Sequence, residues 1–248
     1  MYRILFSLAL ALIFSLGICA QETTFYQDVA FINNISVGLP EGSIDQISIV
    51  DNTPIATTTS GQYEWKDSKW IRSKKGYSAA SLPKFKGLPE EAGRVLSTTN
   101  FGNTTYVGCE NGLYVKIGNN KWKRELPSDI NYSWALKEVA ALTVDTKNRL
   151  WFGAKQGIGR LEKGKWTLFT GKEGVPYTNF TCAAPGPKGQ VWFGTEYGAF
   201  RVEENTFFYR ANRRWLPDNH VNSIAVDAKG TAWIATKNGL ARGPGTGQ

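Results

Sequence analysis

Histidine is almost missing from this chain: among 248 residues, His220 is the only one. A zinc site draws three or four ligands from His and Cys, so no metal centre is expected, and no cofactor signature is found. The nucleophile elbow, the phosphate loop and the zinc-protease helix motif are also absent. Cysteine is scarce, limited to Cys19, Cys109 and Cys182. Long runs of Ala, Leu, Glu and Lys are wanting beyond the first twenty residues, which argues against a helical domain. Basic residues occur singly or in pairs such as Lys74-Lys75 and Arg213-Arg214. Without a long basic run, the charge reads as diffuse and no nucleic-acid partner is expected.

What is present begins with a leader. Met1-Tyr2-Arg3 carries one positive charge, Ile4 to Gly17 is a nearly unbroken apolar run, and Ile18-Cys19-Ala20 ends in a small residue. That order predicts a signal peptide over residues 1–20, cleaved after Ala20. An apolar run of about 14 residues falls short of the roughly 20 that span a bilayer. A secreted or periplasmic protein is expected, with no stable membrane insertion after cleavage. Losing Arg3 from the 29 basic residues leaves 28 against 21 acids, a net charge of +7.

Glycine, at 26 residues, and aromatics, at 13 %, favour strands and tight turns. Three segments align without a gap: Leu142 to Arg160, Ala183 to Arg201 and Ile224 to Arg242. Their tryptophans, Trp151, Trp192 and Trp233, are 41 residues apart both times. A strand-rich period of about 40 residues is the signature of propeller blades. Two weaker copies precede them, Tyr106 to Leu113, with Tyr106 in the tryptophan position, and Ile55 to Gly61. A second aromatic follows in Trp70, Trp122, Trp166 and Phe207. Each unit opens on a dipeptide: Leu39-Pro40, Leu88-Pro89, Leu126-Pro127, Val175-Pro176 and Leu216-Pro217. The units run approximately over 38–86, 87–125, 126–173, 174–214 and 215–248, within one domain over 21–248. Cys109 and Cys182 fall in non-adjacent units, so no disulfide is expected between them.

Within one unit, Leu142-Thr143-Val144, Leu150-Trp151-Phe152, Ile158 to Leu161 and Trp166 to Phe169 read as four short antiparallel strands. The chain is therefore expected to be all-β, a propeller of about five four-stranded blades. The first turn opens on Asn100, Asp145, Gly186 or Asp227 and closes on Asn103, Asn148, Gly189 or Gly230, residues suited to turn hydrogen bonds and left-handed backbone. The second turn ends in Gly61, Gly112, Gly157, Gly198 and Gly239 for the same steric reason. The repeating tryptophans are expected to pack between blades rather than to stack on sugars. Arg160, Arg201 and Arg242 recur at one position, as structural partners or as a basic ring for an anionic ligand. The last unit stops before an outer strand. Residues 25–31 (FYQDVAF) are expected to supply it and close the ring. The alternative is a truncated larger propeller whose ring is open or completed by another chain.

The pattern of Trp192-Phe193-Gly194-Thr195, then Gly198 and Arg201, resembles the two-component-regulator propeller repeat. The resemblance covers roughly residues 38–242 and is most specific in the last three copies. It implies a sensor-like propeller that recognises a ligand, often a saccharide, on one face. The membrane helix and kinase modules of such sensors are not found in this sequence, so signalling by this chain alone is not expected.

Ligand contacts are expected from loops that differ between units. These are Glu110, Asn111, Lys155, Gln156, Glu196, Tyr197, Lys237 and Asn238 in the second turns, and Tyr177, Asn179, Asp218 and His220 in the inter-blade loops. In a propeller the two loop sets gather on one face around the centre. Binding of a saccharide or a protein partner is favoured over catalysis. A polysaccharide lyase or hydrolase is the competing reading, with His220 as base, Arg213 or Arg214 as charge neutraliser and Tyr177 as proton donor. A protein-interaction scaffold is the third.

Overall fold

The computed structural model describes residues 26–27, 33–34, 37–76 and 82–243; the expected leader lies outside them. Two short strands come first, β1 (Tyr26–Gln27) and β2 (Asn33–Asn34). Sheet 1 follows, made of β3 (Gln46–Val50), β4 (Thr53–Thr58), β5 (Gly61–Lys66) and β6 (Lys69–Arg72). Sheet 2 holds β7 (Val95–Phe101), β8 (Thr104–Cys109), β9 (Gly112–Gly118) and β10 (Lys121–Glu125). Sheet 3 holds β11 (Ala141–Val144), β12 (Leu150–Ala154), β13 (Gly157–Glu162) and β14 (Lys165–Phe169). Sheet 4 holds β15 (Phe180–Pro185), β16 (Val191–Thr195), β17 (Gly198–Glu203) and β18 (Thr206–Arg210). Sheet 5 holds β19 (Val221–Val226), β20 (Ala232–Thr236) and β21 (Gly239–Gly243). Each is an antiparallel meander, the blade unit of a β-propeller.

The outer strand of sheet 5 comes from the N-terminal end of the chain, a few residues later than the sequence suggests. Asn33 and Asn34 pair antiparallel with Arg242 and Ala241. Within the expected segment, Tyr26 and Gln27 pair instead in parallel with Phe208 and Tyr209 at the outer edge of sheet 4.

The turns carry most of the predicted chemistry. Asp145 Oδ1 accepts from the N–H groups of Lys147 and Arg149, and Asn148 adopts a left-handed φ of 57°. Asp227 repeats the arrangement with Lys229 and Thr231. Sheet 2 departs from it: Asn100 lies within β7 rather than opening a turn, and Gly102, with φ 58°, takes the left-handed position in place of Asn103. At Gly157 and Gly198 a Cβ would sit 2.2 Å from the Phe169 carbonyl oxygen and 2.5 Å from that of Arg210. Only glycine lets those hairpins approach so closely.

Alternate residues of each strand face opposite neighbours, and the core is a series of inter-blade layers. Tyr106, Leu113 and Val115 pack on Leu150 and Phe152 between sheets 2 and 3. Trp151 and Ile158 meet Phe193 and Phe200 between sheets 3 and 4. Trp192 and Ala199 meet Val221 and Ile234 between sheets 4 and 5, and Trp233 meets Ile47, Ala56 and Trp70 between sheets 5 and 1. The blades thus pack in the order 2, 3, 4, 5, 1. The fifth layer is different, because Val107, Cys109 and Tyr114 of sheet 2 are covered by Phe85, Leu88 and Ala92 of the incoming linker. Among the described residues, no such layer joins sheet 1 to sheet 2.

The repeating arginines are structural partners. Each lies across from the tryptophan of its own blade, Trp151 with Arg160, Trp192 with Arg201 and Trp233 with Arg242. Their guanidinium carbons stand 5.4, 5.8 and 5.6 Å from those ring centroids, in cation–π range. Cys109 and Cys182 are free thiols, pushed up to about 11 by burial.

Candidate functional site

The second turn of each of sheets 2 to 5 is tied to its incoming linker by one recurring backbone bond. Glu110 N–H donates to Arg94 O, Lys155 N–H to Lys137 O, and Glu196 N–H to Asn179 O, each at 3.0 Å; Lys237 N–H donates to His220 O at 3.1 Å. A linker residue and a turn residue therefore emerge side by side four times over. The glycine that ends the turn and the strand that follows the linker fix both ends of this contact.

Between the first three of these pairs lies a cavity of ≈ 540 Å³. Arg94, Glu110, Asn111, Lys137, Glu138, Thr178, Asn179 and Glu196 supply its polar lining, and Leu96, Ala140 and Phe180 its apolar part. The side chains are largely paired with one another. Arg94 Nε and one of its terminal nitrogens each lie 3.0 Å from Glu110 Oε1, while the Arg94 N–H donates to Glu110 Oε2 at 3.0 Å. That backbone bond, with the guanidinium, holds the Glu110 carboxyl below its usual range. Lys137 Nζ reaches Asn111 Oδ1 at 3.0 Å, Lys155 Nζ reaches Glu138 Oε1 at 3.1 Å, and Asn179 Nδ2 reaches Glu196 Oε2 at 2.9 Å. Two cations and three carboxylates line the cavity, so it is close to charge-balanced although the chain carries +8.

Of the expected site residues, Glu110, Asn111, Asn179 and Glu196 line this cavity. Lys155 and Gln156 stand beside it, Gln156 accepting from Lys137 N–H at 3.2 Å and donating to Ala135 O at 3.0 Å. Tyr177 and Tyr197 form a tilted aromatic pair with centroids 5.5 Å apart, adjoining Thr178 and Glu196. Tyr177 also bonds the Tyr209 hydroxyl; burial, with Tyr177 adding to it, drives the Tyr209 phenol well above its ordinary range. Asp218, His220, Lys237 and Asn238 belong to the equivalent loops of sheet 5 and are not part of the cavity lining. There Asp218 Oδ1 accepts from His220 N–H at 2.7 Å, and Asn238 N–H donates to Thr236 Oγ1 at 3.3 Å. Arg94, Lys137, Glu138 and Thr178 were not singled out by sequence. Their signal was positional, since each lies in a linker at or next to the residue that receives a second-turn N–H.

The lyase constellation does not converge at this cavity. Arg214 lies over the Trp215 ring at 5.2 Å, Tyr177 is paired with Tyr209, and neither these residues nor His220 and Arg213 line it. Among the described residues no cluster of His, Cys, Asp and Glu could hold a metal.

Radial packing of four-stranded meanders, with linkers and second turns meeting at one end, defines a β-propeller. Residues 216–238 match the family model of the two component regulator propeller. The fold is similar to the extracellular domain of BT4673 from B. thetaiotaomicron, described as a hybrid two component system. That likeness has 19 % identity and a TM-score of 0.51, over 81 % of this chain and 27 % of that one. The chain thus spans about a quarter of that domain's length. A structural genomics protein of unknown function from Bacteroides thetaiotaomicron VPI-5482 is similar over 88 % of this chain and 75 % of its own, at 11 % identity and a TM-score of 0.55. No curated protein matches the sequence. No helix among the described residues is long and apolar enough to cross a membrane.

Proposed function

We propose that the protein is an exported, ligand-binding propeller that takes a neutral, hydroxyl-rich ligand, a saccharide, at the end where linkers and second turns meet. The observation that carries this reading is the cavity between Arg94, Asn111, Lys137, Asn179 and Glu196. It presents many donors and acceptors, is near charge balance, and adjoins the Tyr177–Tyr197 aromatic pair. Neutral sugars are held by such mixtures of amide, carboxylate and aromatic groups, with the polar atoms fixing orientation. A polyanion would find three carboxylates there against two cations. The likeness to an extracellular domain and the leader-like N-terminus support export.

A glycan array followed by calorimetric titration tests the reading. Neutral oligosaccharides are expected among the hits, and Asn111→Ala with Asn179→Ala should weaken binding at least ten-fold with an unchanged Tm. Retention of uronate polymers alone, with release of unsaturated ends, would replace this reading by the lyase. Capture of a protein partner through the same residues, with no glycan bound, would replace it by the scaffold.

A further inference from the structure

The basic residues, which occur singly or in pairs, are concentrated in one stretch of the chain. Residues 66–124 hold 12 of the 29 basic residues and 4 of the 21 acids, a net charge equal to the +8 of the whole chain. Two acid-free segments within that stretch, 82–89 and 111–124, meet at the outer edge of sheet 2. Trp122 fastens them together: its Nε1 donates to Lys86 O at 3.1 Å and its ring packs on Phe85 at 5.4 Å. Gly87 lies against the Asn120 carbonyl, where a Cβ would stand 2.1 Å away, and Lys116 is the cross-strand partner of Trp122. This brings Lys84, Lys86, Lys116, Lys121, Lys123 and Arg124 onto one rim, all of them exposed. Among the described residues only Lys123 has a carboxylate within reach, Glu125 at 3.3 Å. Ile117, next to Lys116 on β9, is 61 % exposed, and Leu82, two residues before Lys84, is 45 % exposed.

Lysines on an edge strand discourage sheet-to-sheet aggregation, and that accounts for those on β10. It does not account for Lys84, Lys86 and Lys116, which lie off that strand, nor for the exposed aliphatic side chains among them. The corresponding outer strand of sheet 3 carries one lysine, Lys165. We infer that the rim of sheet 2 docks onto an anionic phospholipid surface, its lysines against the headgroups and Ile117 and Leu82 reaching the acyl boundary. Charge alone would suit any polyanion. The exposed aliphatics favour a lipid surface, because an acidic polysaccharide chain offers them nothing to bury against.

Co-sedimentation with vesicles tests the inference independently of the saccharide site. Vesicles of phosphatidylcholine with about 30 % phosphatidylglycerol should retain the protein, and pure phosphatidylcholine should not. Each lysine near such a surface is worth roughly five-fold in partition. Replacing Lys84, Lys86, Lys116 and Lys121 by Gln should therefore lower partition more than about a hundred-fold, with an unchanged Tm. Raising salt from about 0.05 to about 0.5 M should weaken binding sharply, and Leu82→Ser with Ile117→Ser should abolish the part that survives. Equal retention of wild type and the quadruple Gln variant would overturn the inference. So would binding of soluble polygalacturonate without vesicle retention, or no binding to either.

Discussion

Trp151 shows how one residue ties several layers together. Its ring is fully buried between sheets 3 and 4, its indole Nε1 donates to Asp145 Oδ2 at 2.7 Å, and Arg149 and Arg160 flank its faces. Trp151→Ala is expected to cost roughly 3–5 kcal/mol in a denaturant melt, and a loss below about 1 kcal/mol would deny it a core role. Asp145 and Asp227 were legible in the sequence as turn residues, but their second duty, accepting from the tryptophan six positions on, was not. It becomes visible by contrast at Gly186, where the acid is missing and Trp192 Nε1 has no partner among the described residues. Glu204 adds a pH dependence. Lys147 and then Arg149 hold its carboxyl below the ordinary range, outweighing a smaller upward push from burial. A lowered folded-state value means that its contribution is present above the unfolded value of about 4.3 and fades as pH falls through the folded one. Glu204→Gln should thus lower Tm by about one to two degrees at pH 7, the site being more than half exposed. Wild type and variant should converge as the pH falls through the lowered folded-state value. A gap that widened with falling pH would contradict the assignment.

At the scale of the element, strands and turns followed the repeat closely, because alternation and turn glycines are local properties. What sequence could not give was the packing order of the blades. Its trace lies in the faintness of the first unit. Where the last three blades carry a Trp–Arg pair facing the next blade, sheet 1 has Ile55 opposite Glu64, and Glu64 is engaged by Lys66 and Ser73 within its own blade region. Without the aromatic–guanidinium pair, sheet 1 has little to offer sheet 2 and relies on its other face, where Trp65, Trp70 and Trp233 cluster. Native-state hydrogen exchange should therefore find amides of β3–β6 opening at lower free energy than those of β11–β18, which are packed on both faces. Uniform protection across all sheets would show that the seam between sheets 1 and 2 is as tight as the rest.

For the whole molecule, the N-terminal residues act on two blades at once, with β1 on the edge of sheet 4 and β2 on the edge of sheet 5. Deleting residues 21–36 should expose both edges and lower Tm by more than about 5 °C; an unchanged melt would leave those strands without a structural role. The need for an outer strand on sheet 5 was legible from the fifth unit, whereas its exact place was not, since Asn33-Asn34 has no repeat pattern and pairs over only two residues. The candidate site was half legible for a related reason. Glu110, Asn111 and Glu196 stand in loops that vary between copies, but Arg94 meets Glu110 and Lys137 meets Asn111 through bonds spanning 16 and 26 residues of sequence, and Glu138 meets Lys155 across 17. The most direct test of the account is hydrogen–deuterium exchange with and without a bound oligosaccharide. Protection is predicted at 94–96, 110–111, 137–140, 178–180 and 196, with the rim at 82–86 and 116–121 unchanged. Protection confined to that rim, or to blade faces away from the cavity, would contradict the placement of the binding site.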